Sequence, residues 1–109
     1  MTAEYLLVET HGAWAGPAGV RFIEDAGALA ASGERVMLLL IQDGVTSALP
    51  GAAPALGELI EGGGSVCVDR LSLAQRALAP ETLHERVRVV EIETLARKLL
   101  EPGVRVVWH

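Results

Sequence analysis

Residues 87 to 108 read VRVVEIETLARKLLEPGVRVVW, two short β-branched runs with a helical segment between them. Within the segment Ile92, Leu95, Ala96, Leu99 and Leu100 fall at i, i+3, i+4, i+7 and i+8, which places them on one face of a helix. Glu93 and Arg97 form an outward i,i+4 pair, and Pro102-Gly103 supplies the stop. A strand, a helix and a second strand in that order make a crossover unit, whose strands lie parallel in one sheet.

The same alternation runs back through the chain. Apolar or β-branched runs recur at Tyr5 to Glu9, Arg35 to Ile41 and Ser65 to Val68. Pro17 opens a helical pattern in which Val20, Ile23, Gly27 and Ala30 share a face, and Pro54 does the same ahead of Leu56, Leu59 and Ile60. Repeated strand–helix–strand units predict an α/β fold, a parallel sheet with helices on both faces. With 109 residues, no linker, no low-complexity tract and no internal repeat, a single domain over 1–109 is expected, large enough for an ordinary hydrophobic core.

Charge and composition exclude several functions. Nine Lys and Arg against fourteen Asp and Glu give a net charge of −5, the wrong sign for a phosphate-backbone footprint, and four aromatic residues supply no series of stacking platforms. No nucleic-acid partner is expected. The longest unbroken apolar run, Val36 to Ile41, is far too short to cross a bilayer, so no membrane partner is expected either. The first run is short and follows Glu4, which is no secretory pattern, and one cysteine forms no intrachain bridge. Both observations predict a cytoplasmic protein.

In a parallel sheet of this kind, ligands and chemistry gather beyond the carboxyl ends of the strands. The residues there are Thr10 to Gly19 (THGAWAGPAG), Gln42 to Ser47 (QDGVTS), Cys67 to Arg70 (CVDR) and Trp108-His109. The glycines at 12, 16 and 19 match neither the dinucleotide fingerprint nor a P-loop and read first as a turn. Asp43-Gly44 is a turn signal, and a metal ligand only where other carboxylates converge on it. No metal and no cofactor are expected.

LLVETHG near the start, LLLIQDGV closing the second run, a lone cysteine in VCVD, and VVWH in the fifth together resemble the DsrE/DsrF/DsrH group of sulfur-relay proteins. The resemblance implies a three-layer α/β/α domain around a five-stranded parallel sheet. It also implies assembly into a homo-oligomer, a trimer or hexamer, and a cysteine near the end of the third strand that carries persulfide sulfur between donor and acceptor proteins. Cys67 occupies that position. Other members of the group lack the cysteine and serve as structural subunits, so the alternative is a non-catalytic subunit or interaction module.

The chemistry of Cys67 turns on its surroundings. A persulfide carrier, a sulfurtransferase-like role, needs an accessible thiolate, held near neutrality by a helix N-terminus or by cations. Asp69 or Ser72 could cap the following helix. The Ser72-x-x-Gln75 spacing of a capping box favours Ser72, which leaves Arg70 and Arg76 as the cationic support. Against reactivity, cysteine is among the most buried residue types, and Val66 and Val68 flank this one as in a packed central strand.

A third reading is a small anionic ligand bound at His11 and Gly12, in a crevice that Asp43, Trp108 and His109 would also border. The sheet order implied by the resemblance runs outward from the first strand to the fourth and returns the fifth beside the first. The first and third tips then lie about 10 Å apart, so His11 meets Trp108 and His109 across the switch point rather than Cys67.

Overall fold

The computed structural model describes residues 4–109. Five strands form one parallel sheet: β1 (Glu4–Glu9), β2 (Arg35–Leu40), β3 (Ser65–Asp69), β4 (Arg88–Val90) and β5 (Val104–Trp108), in the order β4-β3-β2-β1-β5. Four helices make the crossovers: α1 (Pro17–Ala31), α2 (Pro54–Glu61), α3 (Arg70–Gln75) and α4 (Ile92–Leu99). The three-layer α/β/α fold is the expected one. Prolines stand in the first turns of α1 and α2, where the missing N–H has no intrahelical partner to lose.

Alternation along the strands sorts the side chains onto two faces. Leu7, Leu38, Leu40, Val66 and Val68 pack with Ile23, Ala26, Leu56, Leu59 and Leu73 beneath α1, α2 and α3. The opposite face holds Leu6, Val8, Leu39, Ile41 and Cys67, with Leu95 of α4 packed against them. That second layer is thin: α4 contains no buried residue.

The segment after β3 departs from the capping-box expectation. Asp69, not Ser72, is the N-cap of α3: the Ser72 N–H donates to Asp69 Oδ2 at 3.1 Å and the Ser72 hydroxyl donates to the same oxygen at 2.8 Å. One carboxylate oxygen thus takes both Ser72 donors, and the helix starts three residues earlier than the Ser72-x-x-Gln75 spacing suggests. Residues Gln42–Ala48 form a 3-10 segment in place of a simple Asp43-Gly44 turn. Gly44 is required there, because a Cβ would lie 2.2 Å from the carbonyl oxygen of Glu9. Among the described residues no helix is long and apolar enough to cross a membrane.

Candidate functional site

The switch point lies between β1 and β5, since the crossover from β1 leaves toward β2 on one side and the chain returns through α4 to β5 on the other. Glu9 ends β1 with the same parity as Leu7, so its side chain turns toward α1 and is wholly buried, at 0% exposure. Its carboxylate lies against the first turn of α1, close enough that a Cβ on Gly19 would sit 3.0 Å from Oε1. The positive end of the helix dipole therefore faces a buried carboxylate.

His109 follows β5 on the same side. Its Nδ1 is 2.8 Å from Glu9 Oε1 and 2.9 Å from Oε2, and its ring stacks on Phe22 of α1 at 5.1 Å between centroids. With the carboxylate as acceptor, the proton of this contact belongs to the imidazole. His11 approaches from the β1 loop. Its backbone N–H donates to Glu9 Oε2 at 3.2 Å, its Nδ1 lies 3.6 Å from the same oxygen, and its ring meets that of His109 edge-on at 5.4 Å. Thr10 locks the corner, donating its hydroxyl to the His109 carbonyl at 2.8 Å. These groups border an open crevice of about 190 Å³, lined by His11, Ala15, Gly16, Ala18, Gly19 and His109.

Of the other candidate crevice residues, Trp108 and Asp43 are placed apart from this cluster, while the Gly12 carbonyl lies behind Gly19. Trp108 has the opposite parity to His109, so it projects on the α4 side of the sheet, where it is 53% exposed. Asp43 binds Arg76, Oδ1 lying 3.0 Å from Nε and 2.9 Å from an Nη nitrogen. Gly12 packs beneath Trp14 and Thr46. Glu9 was not among the expected site residues; the signal for it was a carboxylate closing an apolar strand at an inward-facing parity.

Cys67 sits mid-strand in β3 on the α4 face, 1% exposed. It adjoins a second, largely apolar cavity of about 240 Å³ between the sheet and α4, bordered by Met37, Leu39, Arg88, Leu95 and Lys98 among others. Burial pushes the Cys67 thiol above the usual range for cysteine, and the Arg88 guanidinium opposes this by charge and hydrogen bonding. Arg88 stands beside Cys67 because the two are register partners of β3 and β4. Arg70 and Arg76 point elsewhere: Arg70 Nε donates to Glu91 Oε1 at 2.5 Å, and Arg76 joins Asp43 and the Ser72 carbonyl.

No family model matches the chain, and no curated protein matches it. Among solved structures, the ychN protein of E. coli superposes with a TM-score of 0.82 at 20% identity, covering 98% of this chain and 100% of that one. The protein of unknown function MTH1491 from Methanobacterium thermoautotrophicum superposes with a TM-score of 0.82 at 17% identity, covering 98% of this chain and 99% of that one. At these identities the likeness is one of fold: the chain shares the architecture of both proteins from end to end.

Proposed function

We propose that the chain acts as a non-catalytic subunit of a DsrE-type homo-oligomer and that copies associate through the α4 face of the sheet. One observation carries this reading: among the described residues a single eight-residue helix, with no buried residue, is the only helix over that face. Five strands at about 4.8 Å spacing span about 19 Å between the outer axes, whereas one helix with its side chains is about 10–12 Å wide. The rim of that face carries exposed apolar side chains. Ile92, Leu99 and Leu100 on and beside α4, and Trp108 on the edge strand β5, are all exposed, Leu100 at 84%. A second copy brings an equivalent apolar strip, and closed symmetric association buries both.

Sedimentation velocity tests this. A trimer or hexamer at micromolar concentration is expected, with Trp108→Ser combined with Leu100→Ser shifting it toward monomer. A wild-type monomer under those conditions refutes the proposal.

The second reading is sulfur relay, with Cys67 passing persulfide sulfur between a donor and an acceptor protein. The cavity beside the thiol and the neighbouring Arg88 favour it. A raised thiol pKa and 1% exposure weigh against it, since transfer needs an exposed thiolate. Alkylation by iodoacetamide separates the two readings. A thiol modified only after unfolding supports the subunit reading, and one modified in the native protein faster than a free cysteine peptide at pH 7 supports sulfur relay. Mass measurement after incubation with a cysteine desulfurase and cysteine, with Cys67→Ser as control, reads the persulfide directly. A free anion at the His11 loop is the weakest reading, because the buried Glu9 carboxylate stands directly behind His11 and His109, which line that crevice.

A further inference from the structure

We propose that Glu9, His11 and His109 form a binding site for a divalent cation of the zinc class at the crevice between β1 and β5. The three residues each bring one ligand atom, and these atoms all lie within 4.8 Å of one another. A tetrahedral zinc ion with ligands at about 2.0–2.2 Å sets neighbouring ligand atoms about 3.3–3.5 Å apart. His11 Nδ1 and Glu9 Oε2 stand at 3.6 Å, already near that separation. The His109 Nδ1 contacts, at 2.8 and 2.9 Å, need only open by about half an ångström to admit a metal, a shift within side-chain reach.

The chemistry of the three groups points the same way. A wholly buried carboxylate needs a positive partner, and here two imidazoles converge on it rather than a lysine or arginine. Two imidazoles with ring centroids 5.4 Å apart are ordinary ligands for zinc as neutral rings. The cation takes the place of the proton that His109 Nδ1 shares with Glu9. That proton leaves to solvent from an imidazolium, or reappears on Nε2 of a neutral ring. Two nitrogens and one oxygen suit zinc or cobalt, and they disfavour calcium and magnesium, which prefer all-oxygen sets. Three protein ligands leave a further position facing the open crevice, where water or an anionic ligand completes the coordination.

The supports of the site are built into the fold. Phe22 stacks on the His109 ring, Thr10 ties the His109 backbone to the β1 loop, and the His11 backbone N–H orients the carboxylate. Such outer contacts fix a ligand's direction before the metal arrives. The site is independent of the proposed assembly face, because Glu9 and His109 lie on the α1 side of the sheet and α4 lies on the other.

The test is titration of the tag-free full chain with Zn²⁺ and Co²⁺, followed by calorimetry and visible absorption, with Mg²⁺ and Ca²⁺ as comparisons. One equivalent of Zn²⁺ is expected, together with a rise in thermal midpoint and cobalt d–d bands between about 500 and 650 nm of the kind an N/N/O tetrahedral set gives. His11→Ala, at an exposed side chain, and His109→Ala should each weaken binding at least about tenfold, while His84→Ala leaves it unchanged. Circular dichroism checks that each variant is folded. The proposal is overturned by absence of binding at 1:1 stoichiometry with about 100 μM metal, well above the affinity of a working site. Equal binding in wild type and the His11 and His109 variants overturns it too, as does a thiolate-to-cobalt charge-transfer band assigning the ion to Cys67.

Discussion

Gly44→Ala places a methyl group where the structure has no room for one. The added Cβ would lie 2.2 Å from the Glu9 carbonyl oxygen, 3.0 Å from its carbon and 3.5 Å from the Thr10 nitrogen, all of them backbone atoms. Ordinary contact begins near 3.4 Å, so the 3-10 segment and the end of β1 must separate by about 1 Å. The same Glu9 carbonyl accepts from the Ile41 N–H at 3.1 Å, and that bond weakens as the two segments part. Overpacking of this kind costs about 1–3 kcal/mol and a lost backbone hydrogen bond about 0.5–1.5 kcal/mol, so a loss of about 2–4 kcal/mol is expected. At about 4–8 °C per kcal/mol for a domain of this size, the thermal midpoint should fall by about 8–32 °C. Gly57→Ala is the matched control, since its site in α2 has nothing within 4 Å of an added Cβ, and alanine there should stabilise by up to about 1 kcal/mol. Urea denaturation of the two variants reads both signs. A Gly44→Ala protein within about 0.5 kcal/mol of wild type would refute the close-approach argument.

Further outcomes follow from the titratable groups and the α3 cap. The folded state holds the Cys67 proton more tightly than the unfolded state, so both are protonated and stability is full below about pH 8.5. As pH rises through that value the unfolded chain releases its proton first and stability falls. The urea midpoint of wild type should therefore drop between pH 8 and 10 more steeply than that of Cys67→Ala, and parallel curves would contradict the burial argument. His109→Ala strips the buried Glu9 carboxylate of its closest partner and should cost about 1–3 kcal/mol at pH 7, measured in the presence of a chelator. Asp69→Ala removes the cap that takes both Ser72 donors and should cost about 1–2 kcal/mol; an unchanged midpoint would mean that water replaces the carboxylate.

The fold was legible because period carries it. Short β-branched runs separated by 3.6-period segments leave few topologies open, and Pro17, Pro54 and Pro102-Gly103 mark helix ends where the structure has them. The site was legible in part. His11 and His109 meet at the switch point as strand order alone requires, but Trp108 belongs to the other face by simple alternation. Glu9 was missed because a charged residue at a strand end reads as solvated until the packing of α1 is known. Arg88 was missed for a different reason: it reaches Cys67 through a register between β3 and β4 that no local pattern encodes. The capping of α3 shows the limit of spacing rules, since Ser72-x-x-Gln75 fits a capping box but Asp69 sits at the end of a strand with its carboxylate already aimed at the Ser72 amide.

The pairing of β1 with β5 has a consequence for how the molecule forms. The Glu9–His109 contact joins residues 100 apart in sequence, and β5 has no other strand beside it. The central strands can assemble through successive short crossovers, but β5 gains nothing until β1 is in place to receive it. Glu9 and His109 therefore come together only in a molecule that has completed its sheet.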